Sequence, residues 1–366
     1  MSALGIPGGV VWRATAVSTS LGVDAAEILT GRAAMLGIAP RDQVSAGGAT
    51  RLLATADDWF ALTLSRPDDI AAVPALVESN SVGPDPWPAV ADWAATQPAS
   101  AAVERARLLD LPAAVLGETV ATGPRRANCG MPSAPRAADG LLVADLTSMW
   151  AGPLCGQLLA RAGATVIKVE SPSRPDGTRL GDSGFYDWVN SGKLSYAIEF
   201  DRHAEQLAQL LGAADVVLEG SRPAALERRG LGPRQVAGPP GRVWLRLSGY
   251  GTDPRAADRV AFGDDAAVAG GLVRHTADGP SFAGDAIADP LTGLEAAAVV
   301  LRSLRCGGGE LIEIALADVA ACYAQDAGSD SGVEPVRPTV GAPAAQLGAD
   351  NAEVRRLVAA RHGSSC

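Results

Sequence analysis

Two adjacent carboxylates, Asp264 and Asp265, follow Ala261-Phe262-Gly263 and precede the apolar run Ala266-Ala267-Val268-Ala269. This spacing predicts a helix start, where the helix dipole stabilises negative charge. The pair reads either as ordinary capping or as carboxylates presented to a ligand. A third acid, Glu170, ends the strand-like run ATVIKVE (164–170), about 20 residues after the turn DLTSMWAGPLCGQ, where a dinucleotide fold keeps its ribose-binding acid. The glycines of that turn argue otherwise. Gly152 and Gly156 are four residues apart and do not form G-x-G-x-x-G, so a nicotinamide dehydrogenase is not indicated. Lys193 stands in the turn NSGK before a predicted strand, near where parallel sheets bind ligands; a solvated turn lysine is the alternative.

Other chemistries are poorly supplied. G-x-x-x-x-G-K-[ST], H-E-x-x-H and G-x-S-x-G are all missing, and the three histidines, His203, His275 and His362, have no second ligand near them in sequence. No metal is expected. Five scattered cysteines without C-x-x-C spacing suit a reducing cytoplasm, and neither an export signal nor a membrane-spanning run is apparent. The formal charge of −10 opposes nucleic acid and anionic membrane as partners. With 366 residues, 47% hydrophobic and 20% charged, the chain is long enough for two packed domains and too apolar to be disordered.

The elements that must position these residues follow from periodicity. Downstream of residue 140, strand-length apolar runs alternate with helical segments: LLVADL (141–146), ATVIKVE (164–170), LSYAIEF (194–200), ADVVLE (214–219), RVWLRLS (242–248) and LIEIAL (311–316). Such alternation predicts an α/β fold, a Rossmann-like, mainly parallel sheet with helices on both faces. Upstream, the strand-like pair RLLAT and WFALTLS around Asp57-Asp58, with helical stretches near 68–78 and 100–109, predicts a smaller α+β domain. The expected division is a small domain over 1–119, a linker over 120–140, a large domain over 141–325, and a tail with a last helix over 326–366.

Taken together, LLVADLTSMWAGPLCGQLLARAGATVIKVESP, YDWVNSGKLSYAIEF, ADVVLEGSRPAALERRGLGP, LRLSGYGTDPRAADRVAFGDDAAVAGGL and GDAIADPLTGLEAAAVVLRSL resemble, in order, the family III CoA-transferases, the group of carnitine dehydratase and bile-acid-inducible protein F. The small-domain-like segment lies upstream of these blocks, where the family ordinarily has it downstream, so the chain resembles a circular permutation. PAAQLGADNAEVRRLVAAR (343–361) is similar to the family's C-terminal segment.

The resemblance implies an enzyme that moves CoA between an acyl-CoA and a small carboxylic acid, with CoA thioester as substrate and no tightly bound cofactor. It implies an interlocked homodimer as well. The family's nucleophile is an aspartate that forms an acyl anhydride. Ungapped counting back from Gly271-Leu272 puts Gly263 at that position, and a one-residue slip puts Asp264 there. Asp264 is thus the expected catalytic residue, with Asp265, or no nucleophile at all, as alternatives. By the same resemblance Trp150, Ala151, Glu170, Lys193, Arg222 and Arg228 are expected around CoA, although Gly220-Ser221 replaces the family's usual Asn-Phe before Arg222-Pro223. Two other readings stay open. One is an α-methylacyl-CoA racemase, for which His275 is the remaining histidine candidate; the other is a CoA-ester-binding relative without catalysis.

Overall fold

The computed structural model describes residues 3–220 and 224–363. The chain opens with strand β1 (Leu4–Pro7) and the helices Gly8–Ser20 and Ala25–Leu36. Asp24 starts the second helix by accepting a hydrogen bond from the Ala26 N–H at 2.9 Å. An antiparallel sheet follows, made of β2 (Thr50–Ala54), β3 (Trp59–Thr63) and β4 (Ala113–Val115), in the order β2-β3-β4. Its first hairpin turns around Asp57-Asp58 as expected. The helices Pro67–Ala71, Val73–Leu76, Trp87–Ala94 and Ala99–Leu108 lie between β3 and β4, and their apolar faces close a small core around Phe60, Leu62, Leu76, Val90 and Val103.

The remaining strands are β5 (Arg125–Asn128), β6 (Leu142–Leu146), β7 (Thr165–Glu170), β8 (Leu194–Ala197), β9 (Val216–Glu219), β10 (Val243–Ser248), the hairpin β11 (Val273–Thr276) and β12 (Gly279–Phe282), β13 (Glu310–Ala315) and β14 (Asp330–Val333). Seven of them form the main sheet, ordered β5-β13-β10-β9-β6-β7-β8. All pairs in it are parallel except β5 with β13. Strands covered on both faces need apolar side chains on both, which is why these segments read as nearly continuous apolar runs. Alternate residues enter different cores. Val143, Val166, Val216 and Leu245 face the helices Ala151–Arg161, Ala288–Arg305 and Leu316–Ala324, whereas Leu142, Ile167, Val217 and Trp244 face Ala204–Ala213 and the last helix, Asn351–Gly363. The α/β sheet with helices on both faces is as expected.

The helices Ala151–Arg161 and Ala288–Arg305 approach closely because Gly293 carries no side chain. A Cβ there would stand 2.7 Å from Leu154 Cδ2 and 2.9 Å from the Ala151 carbonyl oxygen. This contact brings two helix starts, and the loops before them, to one end of the sheet.

Packing across the expected domain limits is extensive. Leu4, Ile6, Val10, Ile28 and Leu29, inside the segment 1–119 assigned to the small unit, are buried in the core of the main sheet. Residues 125–128, inside the expected linker, form β5, the exposed outer strand of that sheet. In the expected tail, β14 pairs with β1 across more than three hundred residues, Leu4 opposite Val333.

Candidate active site

Gly263 begins the short helix Gly263–Ala269 and is closed to any side chain. A Cβ at this position would meet the Ala286 carbonyl oxygen at 2.3 Å and Asp289 Oδ2 at 2.4 Å. An aspartate at the position that ungapped counting assigns would therefore have no room. The next residue, Asp264, is half-buried. It accepts hydrogen bonds from the Ala286 N–H at 3.1 Å and from Thr50 Oγ1 at 3.4 Å, with Ser45 also bonded to it.

Asp265 differs. Its carboxylate is fully buried and accepts from Tyr250 Oη at 2.7 Å, the Phe262 N–H at 2.8 Å and Thr63 Oγ1 at 3.3 Å, closing the helix N-terminus as a capping acid does. Both carboxylates thus accept three hydrogen bonds, and what separates them is exposure, Asp265 being fully buried and Asp264 half-buried.

Asp264 does not stand alone. Asp285, 1% exposed, and Asp289, in the first turn of Ala288–Arg305, lie around it together with Arg32 of the helix Ala25–Leu36. Arg32 Nη1 donates to Asp285 Oδ1 at 2.6 Å. Burial, then the charges of Asp285 and Asp265, push Asp264 up to about 7, against the opposing pull of Arg32 and Ser45. Burial and the charge of Asp264 push Asp289 up to about 7 as well. Asp265 is raised to about 6 by burial, and Asp285 is raised by burial against the pull of Arg32. Burial and the mutual repulsion of these carboxylates both oppose ionisation of all four at once, which is why their proton affinities rise together.

Two non-glycine residues with positive φ lie next in sequence to residues of the site. Ala286, whose N–H is aimed at Asp264, has φ 41°, and Met149, just before Trp150, has φ 73°. Asp176 holds the second turn by accepting the Met149 N–H at 3.2 Å. Non-glycine residues in this region cost energy and recur where surrounding structure fixes a functional geometry.

The expected CoA-contacting residues divide. Trp150 and Ala151 lie beside the cluster: Arg32 stacks over the Trp150 ring at 5.4 Å, and Ala151 opens the helix held against Gly293. Trp150 is 4% exposed, and among the described residues its indole N–H has no hydrogen-bond partner. Glu170 and Lys193 are instead committed to the interior. Glu170 forms a two-pronged pair with Arg179, at 2.9 Å to Nε and 2.6 Å to Nη2. Lys193, 4% exposed, spends all three ammonium protons on Asp145 Oδ2 at 2.9 Å, the Pro153 carbonyl at 2.8 Å and Asn190 Oδ1 at 3.1 Å. Burial lowers its pKa against the pull of Asp145. Arg228 is exposed, following the short helix Ala224–Glu227, and Arg222 lies outside the described residues. His275 is exposed on the β11–β12 hairpin.

Arg32 and Asp285 carry no motif in the sequence, and Asp289, just before Pro290, has the pattern of an ordinary helix cap. Asp289 makes no such cap, since Ile287 holds the N-cap position and the carboxylate faces Gly263 and Asp264. The run GDAIADP held the available signal, two acids four residues apart before a helix. Arg32 lies more than two hundred residues from either and had none. Among the described residues no group of His, Cys, Asp and Glu has the geometry to hold a metal ion, and no helix is long and apolar enough to cross a membrane.

Comparison with known proteins sets this geometry within a family. The family model described as CoA-transferase family III matches residues 139–353. Among similar proteins, a succinyl-CoA–D-citramalate CoA-transferase of Chloroflexus aurantiacus is 33% identical over half of this chain and half of its own. A probable fatty acyl-CoA transferase of Mycobacterium tuberculosis is 31% identical over 50% of this chain and 51% of its own, and a formyl-CoA:oxalate CoA-transferase of Streptomyces avermitilis is 32% identical over 50% and 48%. The chain spans about half the length of the curated relatives it matches. A solved protein of Mycobacterium tuberculosis aligns over 53% of this chain and 57% of its own, with 33% identity and a TM-score of 0.47. With more than half of its residues matched by the family model, the chain belongs to CoA-transferase family III.

Proposed function

We propose that this protein transfers CoA between an acyl-CoA thioester and a small carboxylic acid, with Asp264 as the nucleophile. The observation that carries the reading is the arrangement at the start of the helix Gly263–Ala269. A side chain at 263 would meet backbone at 2.3 Å, Asp265 is fully buried under bonds as short as 2.7 Å, and Asp264 is half-buried, with its bonds to Ala286 and Thr50 at 3.1 and 3.4 Å and its proton affinity raised to about 7. A carboxylate so held is more basic than a solvated one and still substantially ionised at neutral pH, a combination suited to nucleophilic attack.

In this reading an Asp264 oxygen attacks the thioester carbonyl carbon. The C–S bond breaks, its electron pair leaves on the CoA thiolate, and a mixed anhydride remains on Asp264. The thiolate attacks the aspartyl carbonyl, releasing the first acid as carboxylate and leaving CoA on Asp264 as a thioester. The acceptor carboxylate attacks that thioester to give a second anhydride and free thiolate. Attack of the thiolate on the acceptor's acyl carbon forms the new acyl-CoA and restores Asp264. No net proton is consumed.

Trp150 and Ala151, next to the cluster, border the space for the thioester. Exposed Arg228 is the cation that would meet CoA phosphate, whereas Lys193 and Glu170 support the site from within. The names of the relatives support small acids as acceptors. A homodimer in the cytoplasm completes the proposal.

The test is CoA exchange between a panel of acyl-CoAs and labelled free acids, with Asp264→Ala and Asp265→Asn alongside. Hydroxylamine should inactivate the enzyme only when acyl-CoA is present. An active preparation that resists hydroxylamine, or that keeps its rate in Asp264→Ala, refutes the mechanism. CoA binding without any exchange leaves a binding relative.

A further inference from the structure

We propose that Arg32, on the helix Ala25–Leu36, is the positioning residue of the Asp264 site, holding Asp285 and Trp150 in place from a segment outside the family-matching region. The proposal rests on reading Asp264 as the nucleophile. Asp264, Asp265, Asp285 and Asp289 all lie within residues 139–353, and the cation set against them comes from far upstream.

The guanidinium makes two kinds of contact at once. Its Nη1 bonds Asp285 Oδ1 at 2.6 Å, and its central carbon lies 5.4 Å from the Trp150 ring centroid and 5.6 Å from that of Phe185. Those two rings pack edge to face with centroids 5.3 Å apart. A planar guanidinium can stack and fork simultaneously, which an ammonium cannot. Asp285 depends on it. Asp285 Oδ2 is buried with no hydrogen-bond partner among the described residues, so the bond to Arg32 is the carboxylate's compensation for losing water.

The charged groups around Asp264 define what Arg32 does. Asp265 shares its helix and is bonded to Tyr250; Asp285 precedes Ala286, which bonds Asp264 directly; Asp289 starts the neighbouring helix. The antiparallel sheet supplies only hydroxyls, from Thr50 and Thr63, and the loop before it supplies that of Ser45. On Arg32's own helix, Glu27 is occupied by Arg161 at 3.6 Å. Held by Asp285 and the two rings, Arg32 is a positive charge that pulls Asp264, Asp285 and Asp289 toward their ionised forms, against burial.

The experiment titrates Asp264 directly by carboxyl-carbon NMR in protein labelled on aspartate, with the resonance identified by its loss in Asp264→Asn. Arg32→Gln should raise the Asp264 midpoint by about one unit or more. The acid limb of the CoA-exchange profile should move with it, giving roughly a tenfold loss near pH 6 and a much smaller one near pH 9. Arg32→Lys should restore part of the shift without the ring contact. Asp285→Asn, which keeps Arg32, should move the midpoint down. An unchanged midpoint in folded Arg32→Gln, or an equal loss of rate at every pH, overturns the proposal. Should Arg32→Gln fail to fold, an Arg32→Lys protein whose midpoint and pH profile equal those of the wild type overturns it equally, since the fork and ring contact would then be dispensable. A wild type that exchanges no CoA refutes the transferase reading, while the titration still decides the role of Arg32.

Discussion

Placing a methyl group on residue 263 tests the register of the catalytic carboxylate. In Gly263→Ala the new Cβ would stand 2.3 Å from the Ala286 oxygen, 2.4 Å from Asp289 Oδ2 and 2.9 Å from the Ala286 carbonyl carbon. Non-bonded carbon needs more than about 3 Å from such atoms, so the Ala286 peptide or the helix start must shift by roughly 1 Å. Backbone cannot rotate away as a side chain can, which puts the cost at the upper end of overpacking, about 3 kcal/mol. At roughly 2.1 cal/mol/K per residue, the unfolding entropy of 366 residues is near 0.8 kcal/mol/K, and Tm should fall by about 4 °C. The Ala286 N–H also leaves Asp264, so CoA exchange should fall along with stability. The double change Gly263→Asp with Asp264→Gly moves the carboxylate to the family's expected position and should be inactive. Calorimetry and the exchange assay together decide the matter. A Gly263→Ala protein within about 1 °C of wild type would show that position 263 has room for a side chain, and an active double variant would show that the register of the carboxylate does not matter; either result refutes the reasoning.

Two further outcomes follow from the buried charges. Lys193→Met leaves Asp145 as a buried carboxylate without its cation and should destabilise by about 3–5 kcal/mol in denaturant unfolding, partly recovered by adding Asp145→Asn; a variant of normal stability that simply loses CoA binding would restore Lys193 to the ligand. Asp264 and Asp289, raised from 3.8 to about 7 in the folded state, make the native protein bind more protons than the unfolded chain between about pH 4 and 7. Stability should therefore fall as pH rises through that window and level off above it. Asp289→Asn should flatten the fall between about pH 4 and pH 7, and a fall as steep as that of wild type would contradict a raised Asp289 in the folded state.

What could be read from sequence was what local patterning controls. All six parallel strands lie within the apolar runs or a residue from them, because a strand buried on both faces has no freedom to be polar. The hairpin at Asp57-Asp58 and the last helix were legible for similar reasons. The strand β5 was not: Arg125-Arg126-Ala127-Asn128 is exposed at every position, and only its pairing with β13 makes it a strand. Asp264 was legible as a candidate, but its separation from Asp265 depends on Tyr250, Thr63 and the Phe262 N–H. Lys193, expected beside CoA with a solvated turn lysine as the alternative, shows a limit of the opposite kind. A lysine after Ser-Gly looks like a solvated turn residue, and nothing local reveals that its ammonium turns inward to Asp145.

The same long-range packing bears on whether the family-matching region can stand by itself. Leu4, Ile6, Val10, Ile28 and Leu29 pack into the core of the main sheet from outside residues 139–353. Burying each large apolar side chain is worth about 1.5–3 kcal/mol, so removing these five forfeits about 8–15 kcal/mol, as much as the whole stability of an ordinary domain. The truncation also removes β5 and exposes the edge of β13, while Asp285 loses Arg32. Residues 139–363 expressed alone, which keep the last helix, should therefore show no cooperative unfolding transition, and residues 1–138 supplied as a separate chain should restore one. A truncated protein that melts cooperatively as a monomer would mean that the N-terminal helices rest on a finished core. It would then be hard to maintain that a site dependent on Arg32 is built by the whole chain.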